Sequence, residues 1–287
     1  MAQPPTAHPP SVHRALAGLA RAELAGVNPH TLALALSRAE RDGVLFERMD
    51  ERQAALVLLE RVGYPESVAE LSLFLSVPQV LGGAALLPDQ ITGWHALQYV
   101  RWLAGFLNDP QPDTQRNARL LLRWLVATWG ETIAADQSAL DSLRKVADDP
   151  QTGAKCSACI VYALGVCGTL EDYDRVIRHA EQVIEHDLEH LDLVAEGLHR
   201  LYPPALVNAL AYFLDHSPGA AQKQFATGIH LLARVADIED QTFWSTYHAE
   251  MSQLLDRLEP VISRSRAIEH IHDQIEKRLA QAAIGED

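Results

Sequence analysis

The chain has 287 residues, of which 48% are hydrophobic, 6% aromatic and 22% charged, and its formal net charge is −14. This composition indicates a folded globular protein rather than a disordered chain. The acidic excess argues against nucleic-acid binding by the surface as a whole, because phosphate contacts need clustered Lys and Arg. No apolar signal segment or membrane-length apolar run occurs, so we expect a soluble cytoplasmic protein without a membrane partner.

Helix signals follow one another along almost the whole chain. Residues 1–10 contain four prolines and are predicted to form a flexible tail. Beyond them, capping residues, prolines and glycines predict about eleven to thirteen helices with short connections. One is expected over 113–129 and closed by Gly130, while Pro65 and Pro260 are each expected to open a helix. We predict that residues 11–287 form a single helical-repeat domain.

Two segments of the helical region are similar to one another. DPQPDTQRNA begins at residue 109, and DPQTGAKCSA begins at residue 149. Both start with Asp-Pro-Gln and end in Ala, and their offset of 40 residues lies in the range typical of HEAT and armadillo units. The repeat therefore predicts stacked helix pairs.

The second segment continues as CIVYALGVCGTLEDYDRVI over residues 159–177. Together the two parts resemble a HEAT repeat. The resemblance consists of an Asp-Pro start, a basic residue soon after it, and Ala-Leu-Gly-x-x-Gly before a turn and a second helix. The resemblance covers roughly residues 110–235. It implies an all-α fold, a right-handed α-α superhelix or HEAT-like solenoid, which many unrelated functions use. The matching residues are Asp149, Pro150, Lys155, Ala158, Ala163, Leu164, Gly165 and Gly168.

Residues 186–190 read HDLEH and match H-x-x-E-H, the inverted zinc-protease signature. On a helix, His186 and His190 would lie one turn apart and could share a metal, with Glu189 as base or ligand. We expect this face to be solvated, with His179 on the same side. The opposite, apolar stripe is predicted to be Tyr173, Ile177, Ala180, Ile184, Leu188, Leu191, Ala195 and Leu198.

A catalytic zinc also needs a third protein ligand and a pocket, and the sequence places neither. We therefore predict that HDLEH is not a catalytic zinc site, and we expect no cofactor. His186, Glu189 and His190 are the residues that would hold a metal if one bound.

Three cysteines, Cys156, Cys159 and Cys167, lie within twelve residues. Their odd number and clustering exclude a secreted disulfide framework, and no second CxxC completes a zinc motif. On a helix they share one narrow face with Ala158 and Ala163. We therefore predict buried thiols that pack as small apolar side chains.

A basic stripe formed by Arg116, Arg119 and Arg123 is the main local concentration of positive charge. Trp124 lies beside it, and Arg101 lies on the preceding predicted helix. Because Arg and Trp are enriched at binding hot spots, these residues are the predicted partner-binding surface. The alternative is that the arginines pair with acidic residues of the neighbouring repeat while the tryptophan packs in the core.

These patterns favour a non-catalytic cytoplasmic interaction or scaffold protein that binds a protein partner on the concave face of a helical solenoid. Two alternatives stay open from the sequence. One is a metal-dependent hydrolase that uses the HxxEH site at 186–190. The other is nucleic-acid binding through the arginine stripe at 116–123.

Overall fold

A computed structural model describes residues 27–44, 51–77, 91–214, 222–262 and 265–284. These ranges contain fourteen α-helices and two short 3-10 helices but no strand, which confirms the all-α class. None of these helices has the length and apolar character needed to cross a membrane. The right-handed superhelical arrangement stays a prediction, and the predicted tail at 1–10 lies outside the described ranges.

The chain divides into two compact units, Met1–Trp129 and Gly130–Asp287. The prediction of one repeat domain over 11–287 stays a prediction. The helices that begin in the first unit are α1 Pro29–Arg41, α2 Glu51–Leu59, α3 Val68–Leu75, α4 Gly93–Leu103 and α5 Pro112–Ala134. Those of the second unit are α6 Gln137–Ala147, α7 Ala154–Cys167, α8 Tyr173–His186, α9 Leu191–Leu201, α10 Pro203–Leu214, α11 Gln222–Ala236, α12 Gln241–Thr246, α13 His248–Ile262 and α14 Arg266–Ile284.

The first unit is held together by an apolar core and by bonds between helix ends. Arg38 of α1 donates to Glu70 of α3 at 2.7 Å and to the carbonyl of Tyr64 at 2.9 Å. The pKa of Glu70 is lowered to about 2, mainly because its carboxylate accepts hydrogen bonds from the Arg38 guanidinium. Asn117 of α5 donates to the carbonyl of Leu75 at 2.7 Å, which satisfies an orphan acceptor at the end of α3.

Helix α7 is the centre of the second unit, and α8 and α9 both pack against it. Most of its residues are buried, because it lies between neighbours and has little solvent-facing surface. Gly165 of α7 and Gly197 of α9 meet where these two helices cross. A Cβ built on Gly165 would lie 2.3 Å from the Cα of Gly197, so the two backbones approach as closely as glycine alone allows.

A buried ion pair joins α6 to the turn that follows α7. Asp172 is completely buried and accepts two bonds from Arg144, at 2.7 and 2.9 Å. Thr169 adds a backbone N–H bond at 3.1 Å. Burial opposes ionisation of this carboxyl, but the bonds from Arg144 and Thr169 outweigh burial and lower the pKa of Asp172.

The two Asp-Pro-Gln segments begin with the same hydrogen-bonded turn. Asp109 Oδ1 accepts from the backbone N–H of Gln111 at 2.8 Å, and Asp149 Oδ1 accepts from that of Gln151 at 2.9 Å. Each is an Asx turn, with Pro setting the backbone between the bonded residues. Helix α5 begins directly after its turn, at Pro112, whereas α7 begins at Ala154 with Gly153 as its N-cap, so the repeated sequence produces the same turn but not the same helix start.

Two helix boundaries differ from the sequence prediction. At the boundary predicted between 129 and 130, the helical segment α5 runs on to Ala134, but Trp129 is non-helical (φ −126°, ψ 21°) and two helices meet there at a kink. Helix α3 begins after Ser67, whose hydroxyl accepts from the N–H of Glu70, rather than at Pro65. Pro260 lies within α13, and the last helix begins at Arg266.

Candidate functional site

The HDLEH segment does not lie on one helix, so the predicted geometry is wrong. Helix α8 ends at His186, Asp187 has a non-helical conformation (φ −147°, ψ 73°), and a 3-10 turn over Leu188–His190 leads into α9. The one-turn spacing of His186 and His190 is therefore lost. The periodicity prediction failed because it contained no signal for a break at Asp187.

The break brings together a different set of residues, in what we call the α8–α9 turn (residues 187–190). Ligand-type atoms of Asp187, Glu189 and His190 all lie within 4.8 Å of one another. His190 Nδ1 is 2.8 Å from Asp187 Oδ2. His186 is outside this group, is largely exposed and lies 3.5 Å from Glu185. His186 thus does not lie with Glu189 and His190 as the HxxEH pattern on one helix predicted, and the hydrolase alternative stays a prediction.

His179 is buried, and the prediction that it faces solvent is wrong. Its Nε2 lies 2.8 Å from the carbonyl of Ala147, and its Nδ1 lies 2.8 Å from Ser157 Oγ. A carbonyl can only accept, so Nε2 carries a proton and the ring is satisfied inside the core. Burial lowers the pKa of His179 and favours the neutral imidazole.

The side of α8 that faces the core is not the predicted apolar stripe. The side of α8 that faces the core carries Val176, His179, Ala180 and Val183, about a quarter of a turn from the predicted stripe. Ile177 and Ile184, which were predicted to be core residues, are only half-buried. A core position is therefore filled by a histidine with bonded partners, while two isoleucines are left at the surface.

These isoleucines line a groove in the second unit, which we call the acidic groove. Its walls are α8 and α10, and buried Leu198 of α9 lies at its floor. Its volume is about 680 Å³. The residues that line it are Tyr173, Ile177, Ala180, Glu181, Ile184, Glu185, Leu198, Ala205, Asn208, Ala209, Tyr212, Phe213 and Thr227.

The acidic groove combines exposed apolar surface with negative charge. Tyr212 is 56% exposed and lies beside the half-buried apolar side chains of the groove. The charged residues in the lining are Glu181 and Glu185, both exposed and one helical turn apart. This site was not predicted from the sequence. Its signal was present as apolar residues at 177 and 184 that alternate with glutamates at 181 and 185 on α8.

The predicted partner-binding residues all lie in the first unit, on α4 and α5. Arg101 and Arg116 are exposed, whereas Arg119 and Arg123 are half-buried. Arg119 also donates to Gln115 one turn earlier at 3.2 Å. The half-buried residue Trp124 completes the set. The arginine stripe stays a prediction, and it is separate in the chain from the residues of the acidic groove.

Cys156, Cys159 and Cys167 are buried on α7 and are not joined in a disulfide, which confirms the prediction for them. They pack as small side chains in a helix most of whose residues are buried. Burial raises the pKa of the Cys167 thiol to about 12, so it holds its proton at neutral pH.

We expect a thiol reagent such as dithionitrobenzoate to label no cysteine rapidly in the native protein and all three after denaturation. Only the thiolate reacts, and burial removes both access and ionisation. Absorbance of the released thionitrobenzoate measures the number of labelled thiols. Fast reaction of two or more thiols without denaturant would contradict the packing of α7.

No protein-family model matches the chain, and no match was found among curated proteins or solved structures. Function therefore has to be argued from the residues of the site.

Proposed function

We propose that the protein is a non-catalytic interaction protein whose acidic groove binds an amphipathic helix of a protein partner. The observation that carries this proposal is the lining of the acidic groove, which is apolar apart from a few polar groups and two glutamates. A groove of this kind fits the mode in which one helix lays its apolar face between two others.

The apolar part of the binding would come from side chains that are incompletely buried in the protein alone. Ile177, Ile184 and Phe213 are half-buried, and Tyr212 is exposed. Covering such surface contributes about 25 cal/mol per Å² of apolar area. Aromatic residues in the centre of an interface supply much of the binding energy, so Tyr212 and Phe213 are the expected anchors.

The charged part selects the partner. Glu181 and Glu185 border the acidic groove, and the whole chain carries a formal charge of −14. A partner helix with Lys or Arg beside its apolar face would be attracted and oriented by this field, whereas an acidic helix would be repelled. The expected partner is therefore a basic amphipathic helix.

Two further expectations belong to the same proposal. The acidic groove would lie on the concave face of a HEAT-like solenoid, a surface that such repeats use for extended partners. The protein would act in the cytoplasm as a scaffold. The Asx turns at Asp109 and Asp149 support the repeat, since both copies open with the same hydrogen-bonded turn.

A designed peptide tests the proposal. We expect a fluorescent amphipathic peptide of Leu and Lys to bind the full chain, with affinity that falls as salt is raised. A peptide with Glu in place of Lys should bind at least about tenfold more weakly, because rim charges set specificity. Fluorescence anisotropy measures both. Glu181→Lys with Glu185→Lys should invert the preference, and Tyr212→Ala should weaken both peptides.

The matched control places the same charge change elsewhere in the second unit. Glu250 and Asp256 are exposed on α13 and do not line the acidic groove. Glu250→Lys with Asp256→Lys should leave the preference for the basic peptide in place. If this control and the variant at 181 and 185 lose affinity equally, binding reflects net charge, and the proposal fails.

A further inference from the structure

The α8–α9 turn contains two buried polar atoms that face each other without a hydrogen bond. Asp187 is only 7% exposed, and its Oδ2 has no hydrogen-bond partner. The same holds for Nδ1 of His190, although the two atoms are 2.8 Å apart. Their contact has the distance of an ion pair but not the alignment of an N–H···O bond.

Burying such atoms without an aligned hydrogen bond is costly, and a cation bound by both of them would offset that cost. A buried carboxylate oxygen that accepts no hydrogen bond recovers little of the hydration that it loses, even with an imidazole 2.8 Å away. Its carboxylate also makes no capping bond to the 3-10 turn that follows. Two lone pairs that fail to point along a common hydrogen bond can instead converge on a shared cation.

We propose that Asp187, Glu189 and His190 bind one divalent transition-metal ion, with Zn²⁺ as the best-fitting common ion. The three side chains already bring their ligand atoms within 4.8 Å of one another. Asp187 is buried and His190 is half-buried, with its Nδ1 atom buried, whereas Glu189 is exposed and would close the site from outside. A fourth position is left for water, as in zinc sites with three protein ligands.

The type of ligand separates zinc from the common oxygen-binding ions. Calcium and magnesium prefer sites made entirely of oxygen, whereas an imidazole favours zinc and its neighbours in the first transition series. This inference is independent of the proposed function. The ion would hold the turn between α8 and α9, two helices that supply a wall and the floor of the acidic groove, and it would be structural.

Another cluster, His272, Asp273 and Glu276 on α14, does not support the same inference. Its two carboxylates are exposed, and its atoms are not among the buried atoms without partners. Solvated acidic groups of this kind are common on helices. The orphaned pair at 187 and 190 is what distinguishes the α8–α9 turn.

Zinc titration of tag-free protein stripped with a chelator tests the site. We expect one Zn²⁺ per chain by calorimetry and by metal analysis after gel filtration, and a melting temperature that rises with zinc. Magnesium and calcium should produce neither effect. Because the chain has 13 histidines, the titration includes a weak competing chelator that removes scattered surface binding.

Single variants assign the ligands. Glu189→Gln and His190→Ala should each weaken zinc binding by at least about tenfold, since even an outer-shell change costs 10–100-fold. His186→Ala is the matched control and should bind like the natural chain, because His186 is outside the cluster. Circular dichroism without zinc shows whether each variant is folded. Glu189 is exposed, so Glu189→Gln is expected to fold and tests the site even if His190→Ala does not fold.

Three other outcomes would contradict a zinc site at Asp187, Glu189 and His190. Absence of saturable zinc binding in the natural chain would leave Asp187 and His190 as a proton-dependent ion pair only. Equal binding in the Glu189→Gln and His190→Ala variants would mean adventitious histidine binding elsewhere. Loss of binding in His186→Ala would return the ligand set to the H-x-x-E-H pattern.

Discussion

Replacing Gly165 by alanine is expected to destabilise the protein by about 3 kcal/mol or more, the upper range for overpacking in a core. The added Cβ would lie 2.3 Å from Gly197 Cα and 2.4 Å from its carbonyl oxygen. Both are backbone atoms, so no side-chain rotation relieves the clash and α7 must move away from α9. Urea unfolding followed by circular dichroism measures the loss.

A matched control comes from another glycine of the same helix. Gly153 precedes α7 at its N-cap, and a Cβ there meets no atom within 4 Å. Gly153→Ser should be neutral or slightly stabilising, because serine is the better N-cap. A free energy of unfolding for Gly165→Ala within about 1 kcal/mol of the natural chain would show that α7 and α9 do not cross this closely.

Replacing Arg144 by methionine is expected to cost about 3–5 kcal/mol at neutral pH, the usual effect of removing one partner of a buried ion pair. Asp172 is fully buried and would lose both of its bonds from Arg144, at 2.7 and 2.9 Å. Arg175 lies 3.4 Å from the same carboxylate and would compensate only in part. Thermal or urea unfolding of the variant measures the change.

The pH dependence of this loss has a definite sign. Since the pKa of Asp172 is lowered in the folded protein, its ion pair contributes stability above the ordinary aspartate pKa and loses it as pH falls through the folded value. Without Arg144 the buried carboxyl favours the protonated form. The free-energy difference between the natural chain and Arg144→Met should therefore shrink as the pH is lowered from 7 towards 3.

An exposed ion pair of the second unit serves as the control. Arg200 of α9 bonds to Glu196 at 2.9 Å, and its side chain is 60% exposed. Arg200→Met should change the free energy of unfolding by less than about 1 kcal/mol, since solvent screens surface pairs. If the two methionine variants are equally stable, the Asp172 carboxylate is not held in the buried pair described above.

The helical character of this chain could be read from residues that act locally. The Asx turns at Asp109 and Asp149 each join residues two apart, and the N-cap bond of Asp136 joins residues three apart. A short stretch of sequence therefore contains both partners of each bond. The burial of the cysteines was also predictable, because three small thiols share one face of α7. Such features need no knowledge of what lies across the core.

The candidate sites depended on contacts that no local pattern contains. Periodicity placed His179 in solvent, but Ser157 and the carbonyl of Ala147 supply its ring with partners and allow its burial. That burial turns α8 and leaves Ile177 and Ile184 along the acidic groove. The break at Asp187 likewise replaced the H-x-x-E-H helix with the cluster of the α8–α9 turn.

The sequence by itself therefore determined the all-α class, the Asx turns of the Asp-Pro-Gln segments and the burial of the cysteines, because these follow from propensity, turn chemistry and periodicity over a few neighbouring residues. Only the tertiary structure decided which side of α8 faces the core, where Gly165 meets Gly197, and which residues surround Asp187. Those outcomes depend on partners from other elements, since a buried polar group is tolerated only where a distant residue satisfies it.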